Sequence, residues 1–265
     1  MNLKNLDQTQ AVNEELENWN KIFEEQLKRA ERKDEDFSSY WWEEYYSELT
    51  KYIKELLDSY SNPSILELGS GSGKASILLG QDYHRVLVDI SPAALKYAQY
   101  LAARFQAHNI SYICDDIFNR RIDLRQSQDF TWNIGVIEHY TQNHIVEIIR
   151  IMISYTKLGG LVALAVPNKF SGPIIKANIL KSPLLSFMPG YRIGSEKFYS
   201  RRELHAMIKE AARRENREIT VIKSAYFGNP LIMETPKWML ISLGKLWGLL
   251  FPCNKFLLTI TFKVE

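Results

Sequence analysis

The pattern of hydrophobic positions changes near residue 60. Before that point, apolar side chains recur at helical spacing on a charged background, which predicts one helix over 11–33 and a second over about Ser39–Ser59. After it, short apolar runs alternate with helical stretches. Seven runs are predicted as strands: Ser64–Leu68, Arg85–Asp89, Ile110–Cys114, Phe130–Ile134, Leu161–Val166, Ile219–Ala225 and Phe256–Lys263.

Helical patterns fall between these strands, near Lys74–Leu79, Pro92–Phe105, Asn143–Thr156 and Ser200–Glu215. This alternation predicts an α/β fold, a doubly wound and mostly parallel seven-stranded sheet with helices on both faces. We expect residues 61–265 to form this domain and residues 1–60 to form an N-terminal helical cap. The segment Lys169–Lys197 is apolar and interrupted by Pro and Gly. It is predicted to be a lid, with an ordinary packed excursion as the alternative.

A glycine-rich turn follows the first predicted strand, in the sequence Ile65-Leu66-Glu67-Leu68-Gly69-Ser70-Gly71-Ser72-Gly73. Glycines allow unusual backbone angles and let a ligand approach closely, and the carboxyl end of a first strand borders the crevice where doubly wound sheets bind ligands. The dinucleotide pattern G-x-G-x-x-G fails because Lys74 holds its last position. The P-loop pattern fails at Leu68 and Ala75.

The remaining pattern, E-x-G-x-G-x-G, resembles motif I of the class I S-adenosylmethionine-dependent methyltransferases. The acid that ends the second strand, in Val86–Ser91, and the acidic turn Ile113–Phe118 are similar to later motifs of that family. So are Asp129–His139 after the fourth strand and Thr156–Leu161 before the fifth, although Leu158 stands where the family usually has proline. The resemblance covers about Ser61–Val166 well, Ser200–Lys263 loosely, and the remaining chain not at all.

This resemblance implies S-adenosylmethionine as cofactor and a set of residues that hold it. Asp89 would accept the two ribose hydroxyls, as an acid does at the equivalent point of the dinucleotide fold. Asp116, or as second choice Asp115, would receive the adenine amino group. The full predicted set is Glu67, Gly69, Ser70, Gly71, Gly73, Asp89, Ile90, Asp115, Asp116, Ile117, Asn133 and Gly135.

His139 is the candidate catalytic residue, because it follows the fourth strand at the carboxyl edge of the sheet and a neutral imidazole can take a proton near pH 7. The alternative is that it only holds the loop. Neighbouring Glu138 is a candidate for substrate contact or for tying the loop down. Four tyrosines are further candidates for an acceptor pocket, although aromatic stripes on helices more often belong to the core: Tyr40, Tyr45, Tyr46 and Tyr140.

Two classes of methyltransferase are disfavoured by the fourth-strand motif. Enzymes that methylate nucleic-acid bases on nitrogen carry Asn/Asp-Pro-Pro-aromatic there, whereas this chain has Asn133-Ile134-Gly135-Val136. We therefore expect no nucleic-acid partner. Metal-using relatives carry Glu-x-x-Glu-His, and Gly135 stands where the first of those carboxylates would be. We therefore expect no metal site.

Composition and charge do not identify the acceptor of the methyl group. The absence of a signal sequence and of an apolar run of about 18 residues predicts a cytoplasmic protein. Residues 1–60 carry 15 acidic and 8 basic side chains, whereas 167–265 carry 7 acidic and 16 basic. The segment 236–251 is unusually apolar and is expected to extend the pocket, form a homodimer face or contact a membrane surface.

Three functions follow from these observations. The first is methyl transfer to O or N of a small, partly apolar or aromatic metabolite, since a helical cap and a lid would enclose a small molecule better than a polymer. The second is a membrane-associated quinone or lipid methyltransferase. The third is a non-catalytic module that binds S-adenosylmethionine.

Overall fold

The computed structural model describes residues 3–32, 39–182 and 196–265, with side chains described from residue 16 onward. At its centre is a seven-stranded sheet. All seven predicted strand segments are strands in the structure. They are β1 (Ser64–Leu68), β2 (His84–Asp89), β3 (Ile110–Cys114), β4 (Gln128–Ile134), β5 (Thr156–Pro167), β6 (Ile219–Phe227) and β7 (Leu257–Val264).

The strand order is β3-β2-β1-β4-β5-β7-β6. The strands β1 to β5 run parallel, whereas β7 is antiparallel to both β5 and β6. The predicted doubly wound, mostly parallel sheet is therefore confirmed. Successive strands extend the sheet one way from β1 to β3 and the other way from β4, so the order reverses between β1 and β4. A crevice opens at the carboxyl ends of the strands on such a switch point, and ligands bind there.

Nine helices are described. They are α1 (Leu3–Glu31), α2 (Tyr40–Leu57), α3 (Lys74–Ile77), α4 (Pro92–Arg104), α5 (Gln142–Tyr155), α6 (Gly172–Ile179), α7 (Arg201–Glu215), α8 (Lys237–Met239) and α9 (Lys245–Leu250). A π-helical turn over Leu240–Gly244 joins α8 to α9. Local chemistry sets several of their ends. Ser91 accepts a hydrogen bond from the N–H of Ala94 at the start of α4, and Ser200 and Glu203 form a capping box on α7.

The helices cover both faces of the sheet. On one face, α5 and α7 pack on Leu66, Leu164 and Ile260. On the other, α2 buries Trp41 and Ile53 against β1 and β4. The α2 helix is thus a layer of the core. Its residues belong to the predicted N-terminal cap, 1–60, but they pack against the sheet of the predicted domain 61–265.

Helix α1 lies outside this layer and packs on α4. Ala30 is buried with Leu95 and Leu101, and the hydroxyl of Tyr100 donates to the carbonyl oxygen of Ala30 at 3.0 Å. Within the predicted lid, residues 183–195 lie outside the described residues. No helix in the described part of the chain is long and apolar enough to cross a membrane.

Candidate cofactor and acceptor site

The turn after β1 is built from glycines whose backbone angles other residues rarely adopt. Gly69, Gly71 and Gly73 have φ values of 66°, 51° and 58°. A Cβ atom on Gly69 would come within 2.8 Å of Val136 Cγ2, and one on Gly73 would overlap Leu87. The backbone N–H groups of Gly69 and Ser70 both donate to the carbonyl oxygen of Val88. The loop is therefore held tightly at the ends of β1 and β2, where a ligand can approach its backbone.

Asp89 ends β2 beside this loop. Its Oδ2 accepts a hydrogen bond from the N–H of Gly71 at 2.7 Å, and its Oδ1 accepts one from the N–H of Ser91 at 2.8 Å. Burial raises the pKa of this carboxyl group, and the two backbone donors oppose that rise. Each carboxylate oxygen retains a further lone pair, so Asp89 has the capacity to accept two ligand hydroxyls as well.

Glu67, near the end of β1, is nearly fully buried. Burial raises the pKa of Glu67 to about 8, the hydroxyl of Ser76 donates to it at 2.5 Å and lowers that value, and the charge of Asp89 raises it. The carboxyl group is therefore neutral at pH 7. A ligand ammonium group placed beside it would favour the ionised form.

The two aspartates after β3 face different ways. Asp116 lies in the cavity wall and accepts a hydrogen bond from the N–H of Phe118 at 2.9 Å. Asp115 instead accepts hydrogen bonds from the side chains of Asn119 and Arg121, at 2.7 and 3.2 Å, and lies outside the wall. The structure therefore brings Asp116, and not Asp115, to the cavity.

Of the predicted cofactor residues at the end of β4, one lines the cavity and the other does not. Gly135 lines the cavity with a φ of 67°. Asn133 is fully buried beneath it and donates its amide N–H to the carbonyl oxygen of Leu68 at 2.6 Å, which joins β4 to β1. Asn133 therefore supports the floor of the site without lining it, and Gly73 also lies outside the wall.

His139 reaches the cavity, but Glu138 does not. The imidazole ring of His139 meets the ring of Trp19 edge to face, with 5.4 Å between centroids. Glu138 turns back under the loop, and its Oε1 lies 3.6 Å from the place where a Cβ on Gly135 would be. Burial raises the pKa of Glu138 to about 8, and the nearby charge of Glu196 adds to the rise. Glu138 is thus neutral at pH 7, beneath the loop that carries His139.

Three of the four predicted tyrosines line the cavity. Tyr45 and Tyr46 reach it from α2 and Tyr140 from the loop after β4. Tyr40 does not, because its ring lies against the side chains of Lys237 and Lys245.

Helix α1 supplies residues that sequence reasoning did not assign to the site. Leu16, Trp19, Phe23 and Gln26 line the cavity from one face of this helix. A Cβ on Gly71 would lie 3.0 Å from the ring atom Cζ of Phe23, so α1 packs directly on the glycine turn. The helical spacing of Leu16, Trp19 and Phe23 in the sequence was a usable signal for this apolar face of α1. Phe256 also lines the cavity, from the chain before β7, and nothing in its local sequence indicated that position.

Together these elements enclose a cavity of about 500 Å³. One end is polar, with the glycine turn, Glu67, Asp89 and Asp116. The other end is mostly aromatic and is lined by side chains from α2 and the neighbourhood of β5 and β7. Such a volume is within the usual range of about 300–1,000 Å³ for sites that hold small organic ligands.

Residues 65–160 match a family model described as a methyltransferase domain. The chain carries the domain of a class I, S-adenosylmethionine-dependent methyltransferase. Its cofactor is S-adenosylmethionine, and the site has features that fit such a ligand. The glycine turn has no room for side chains at Gly69 and Gly73. The hydroxyl group of Ser70, in the cavity wall, is buried and has no hydrogen-bond partner among the described residues.

Solved methyltransferases share this fold. The magnesium protoporphyrin IX methyltransferase of Synechocystis PCC 6803, with bound S-adenosylhomocysteine (SAH), is 14% identical at a TM-score of 0.56, over 83% of this chain and 82% of its own. The N-methyltransferase NodS of Bradyrhizobium japonicum WM9, also with SAH, is 12% identical at a TM-score of 0.58, over 94% and 99%. At these identities the likeness concerns the fold. No curated protein matches the sequence of this methyltransferase.

Among the residues that the structure describes, no group of three or more His, Cys, Asp and Glu side chains could hold a metal ion. Metal-independent transfer stays a prediction.

Proposed function

We propose that this methyltransferase transfers a methyl group to an oxygen or nitrogen of a small acceptor that is partly apolar or aromatic. The observation that carries the proposal is that one continuous cavity of about 500 Å³ joins a polar glycine turn to an aromatic wall. A cofactor and a small acceptor can share such a space, whereas a duplex or a folded protein would require an open surface.

The polar end is proposed to hold the cofactor, which supplies a methyl group on a sulfonium. Asp89 would accept the ribose hydroxyls, and Asp116 would accept the adenine amino group. Glu67 would face the ammonium group of the methionine part. The N–H groups of Gly71 and Ser91 already hold the two carboxylate oxygens of Asp89. This supports the role proposed for Asp89, because the carboxylate needs no reorientation when the ribose binds.

The aromatic end is proposed to hold the acceptor. Tyr45, Tyr46 and Trp42 from α2, with Tyr140 and Phe256, provide flat apolar surfaces and a few hydroxyl groups. Helix α1 covers the glycine turn, so that side of the site is shielded from water. Exclusion of water strengthens the electrostatic contacts inside a site and protects the methyl group from hydrolysis.

His139 is proposed as the general base for a hydroxyl acceptor. The imidazole would take the proton of the acceptor hydroxyl as that oxygen receives the methyl group from the sulfonium. The edge-to-face contact with Trp19 supports this role because it restrains the ring at the cavity wall. An amine or carboxylate acceptor that is already deprotonated needs no base.

The experiment is transfer of a labelled methyl group from S-adenosylmethionine to a panel of phenols, carboxylic acids, amines and short nucleic acids. We expect label in at least one small aromatic acceptor and none in nucleic acid. Tyr46→Ala, in the cavity wall, should raise KM for that acceptor with the cofactor Kd unchanged. Tyr40→Ala, outside the wall, is the matched control and should change neither. Labelling of nucleic acid, or equal effects of the two variants, would contradict the proposal.

A further inference from the structure

An unusual concentration of exposed apolar side chains lies on one part of the surface. Of the eighteen large hydrophobic residues that are exposed in the described chain, eleven fall within 170–179 and 238–251. We call the exposed apolar residues of these two segments the apolar shelf. Trp238 is 67% exposed, Leu249 79% and Leu250 62%. Soluble monomers rarely expose a contiguous apolar patch of this kind unless it binds something.

The helical segment 237–250 has its apolar face directed outward. Its buried positions are Leu240, Gly244 and Gly248, four residues apart on one side. A Cβ on Gly244 would overlap the amide of Asn229, and one on Gly248 would lie 3.2 Å from Lys255 Cε. Small residues therefore allow the segment to pack closely, while the large apolar residues face away from the core. An ordinary surface helix has the opposite arrangement.

The two segments of the apolar shelf are neighbours. The N–H of Gly172, at the start of α6, donates to the carbonyl oxygen of Pro230 at 2.9 Å. Lys176 on α6 forms an ion pair with Glu234 at 2.7 Å, just before the helical segment begins. These contacts join α6 to the chain that leads into 237–250.

The charges around the shelf are positive. Residues 167–182 and 236–256 contain six lysines and no acidic residue. Lys176 and Lys255 pair with Glu234 and Glu48, and Lys245 lies near Glu44 and Glu48, which leaves Lys169, Lys181 and Lys237 to add positive charge. In a twofold dimer the same surface of two copies would come together, so two surfaces of the same positive charge would meet. An anionic lipid surface instead complements the lysines and accommodates the Trp, Phe and Leu side chains.

The two segments of the shelf are also next to cavity-lining residues in the sequence. Pro167 begins the first lysine-rich segment and Phe256 ends the second, and both line the cavity. A molecule dissolved in the bilayer would therefore enter beside the aromatic end of the site.

We propose that the apolar shelf docks this methyltransferase on the surface of an anionic bilayer, from which a lipid-soluble acceptor reaches the cavity. The docking stands on the shelf alone, whereas the route of the acceptor rests on the proposed function. Segments that carry Lys, Trp and Leu in this way lie in the interface plane and bind through buried apolar area and attraction to anionic headgroups.

The test is co-sedimentation of the full chain with vesicles of phosphatidylcholine alone or mixed with phosphatidylglycerol. We expect stronger binding to the mixed vesicles and weakening by salt. The double variant Leu249→Asp/Leu250→Asp should lower vesicle affinity at least about tenfold, because two large apolar side chains no longer enter the interface. Leu158→Asp, an equally exposed leucine at the opposite end of β5, is the control and should leave binding unchanged.

Absence of vesicle binding, or equal loss in the control, would overturn the docking. Sedimentation equilibrium measures the oligomeric state. A wild-type dimer that is lost in the Leu249/Leu250 variant would also overturn the docking, since the shelf would then bind a second copy. Transfer to a water-soluble acceptor without vesicles is measured in parallel and should be the same in the wild type and both variants. Failure of that transfer in all three proteins would count against the proposed function and not against docking.

Discussion

Asp89 Oδ2 accepts a hydrogen bond from the backbone N–H of Gly71, with 2.7 Å between the two atoms. This bond joins the end of β2 to the middle of the glycine turn after β1. It places a buried carboxylate against the backbone that a cofactor must approach. The geometry of the turn and the position of the acid are therefore coupled.

Asp89→Ala should weaken binding of S-adenosylmethionine and SAH at least about tenfold, because two hydrogen bonds to a charged group are lost, each contributing about 1.5–3 kcal/mol. Isothermal calorimetry with SAH measures the change. The control is Asp82→Ala, an exposed acid before β2 that should have no effect. An unaltered Kd in Asp89→Ala, or binding of NAD by the wild type, would reject the assignment.

His139→Ala should lower kcat by about 10²–10⁴-fold for a hydroxyl acceptor, with little change in cofactor affinity, because a positioned base contributes that order of acceleration. Single-turnover rates and a separate cofactor titration distinguish the two effects. His84→Ala is the control, since His84 is an exposed histidine at the start of β2 and lies outside the cavity wall. Lost cofactor binding with unaltered chemistry would show that His139 only shapes the loop.

Gly73→Ala should destabilise the fold more than Gly80→Ala. Both glycines have positive φ, so both alanines carry backbone strain of about 1–2 kcal/mol. At Gly73 the added Cβ also overlaps Leu87, whereas at Gly80 it meets no atom within 4 Å. Thermal unfolding compares the two variants, and Leu87→Ala should lower the midpoint less in Gly73→Ala than in the wild type, because the smaller side chain also relieves the overlap. Equal midpoints would show that overlap with Leu87 is unimportant.

Glu138→Gln should change how stability depends on pH. Burial raises the pKa of Glu138 to about 8 in the folded protein, above its ordinary value of 4.5. The folded state keeps a proton that the unfolded state releases, so this group makes the wild type less stable as pH rises from about 4.5 to 8. The neutral glutamine lacks this effect.

The thermal midpoint of Glu138→Gln, relative to wild type, should therefore be higher at pH 9 than at pH 5, by at least about 3 °C. Glu55→Gln on the exposed face of α2 removes the same charge without burial and serves as control. A difference between Glu138→Gln and wild type that is the same at both pH values would contradict the prediction.

The strands and the glycine turn could be predicted from the sequence because their signals are local. Ser64–Leu68 and Ile110–Cys114 are strands at the predicted residues. Gly69, Gly71 and Gly73 occupy the left-handed region in which glycine is favoured. Parallel strands bring their carboxyl ends to one edge, so the convergence of the loops that carry Asp89, Asp116 and Gly135 also follows from the predicted parallel sheet.

Only the tertiary structure decided which side chains face the cavity. Asp115 turns to Arg121, Asn133 turns to Leu68, and Glu138 turns beneath the loop, although each directly adjoins a residue in the wall. Phe23 reaches Gly71 across 48 positions of sequence. The helical spacing of Phe23 and its neighbours indicates an apolar face, but the surface that this face covers depends on how α1 packs on α4. Packing between distant segments is not encoded in the local pattern of either one.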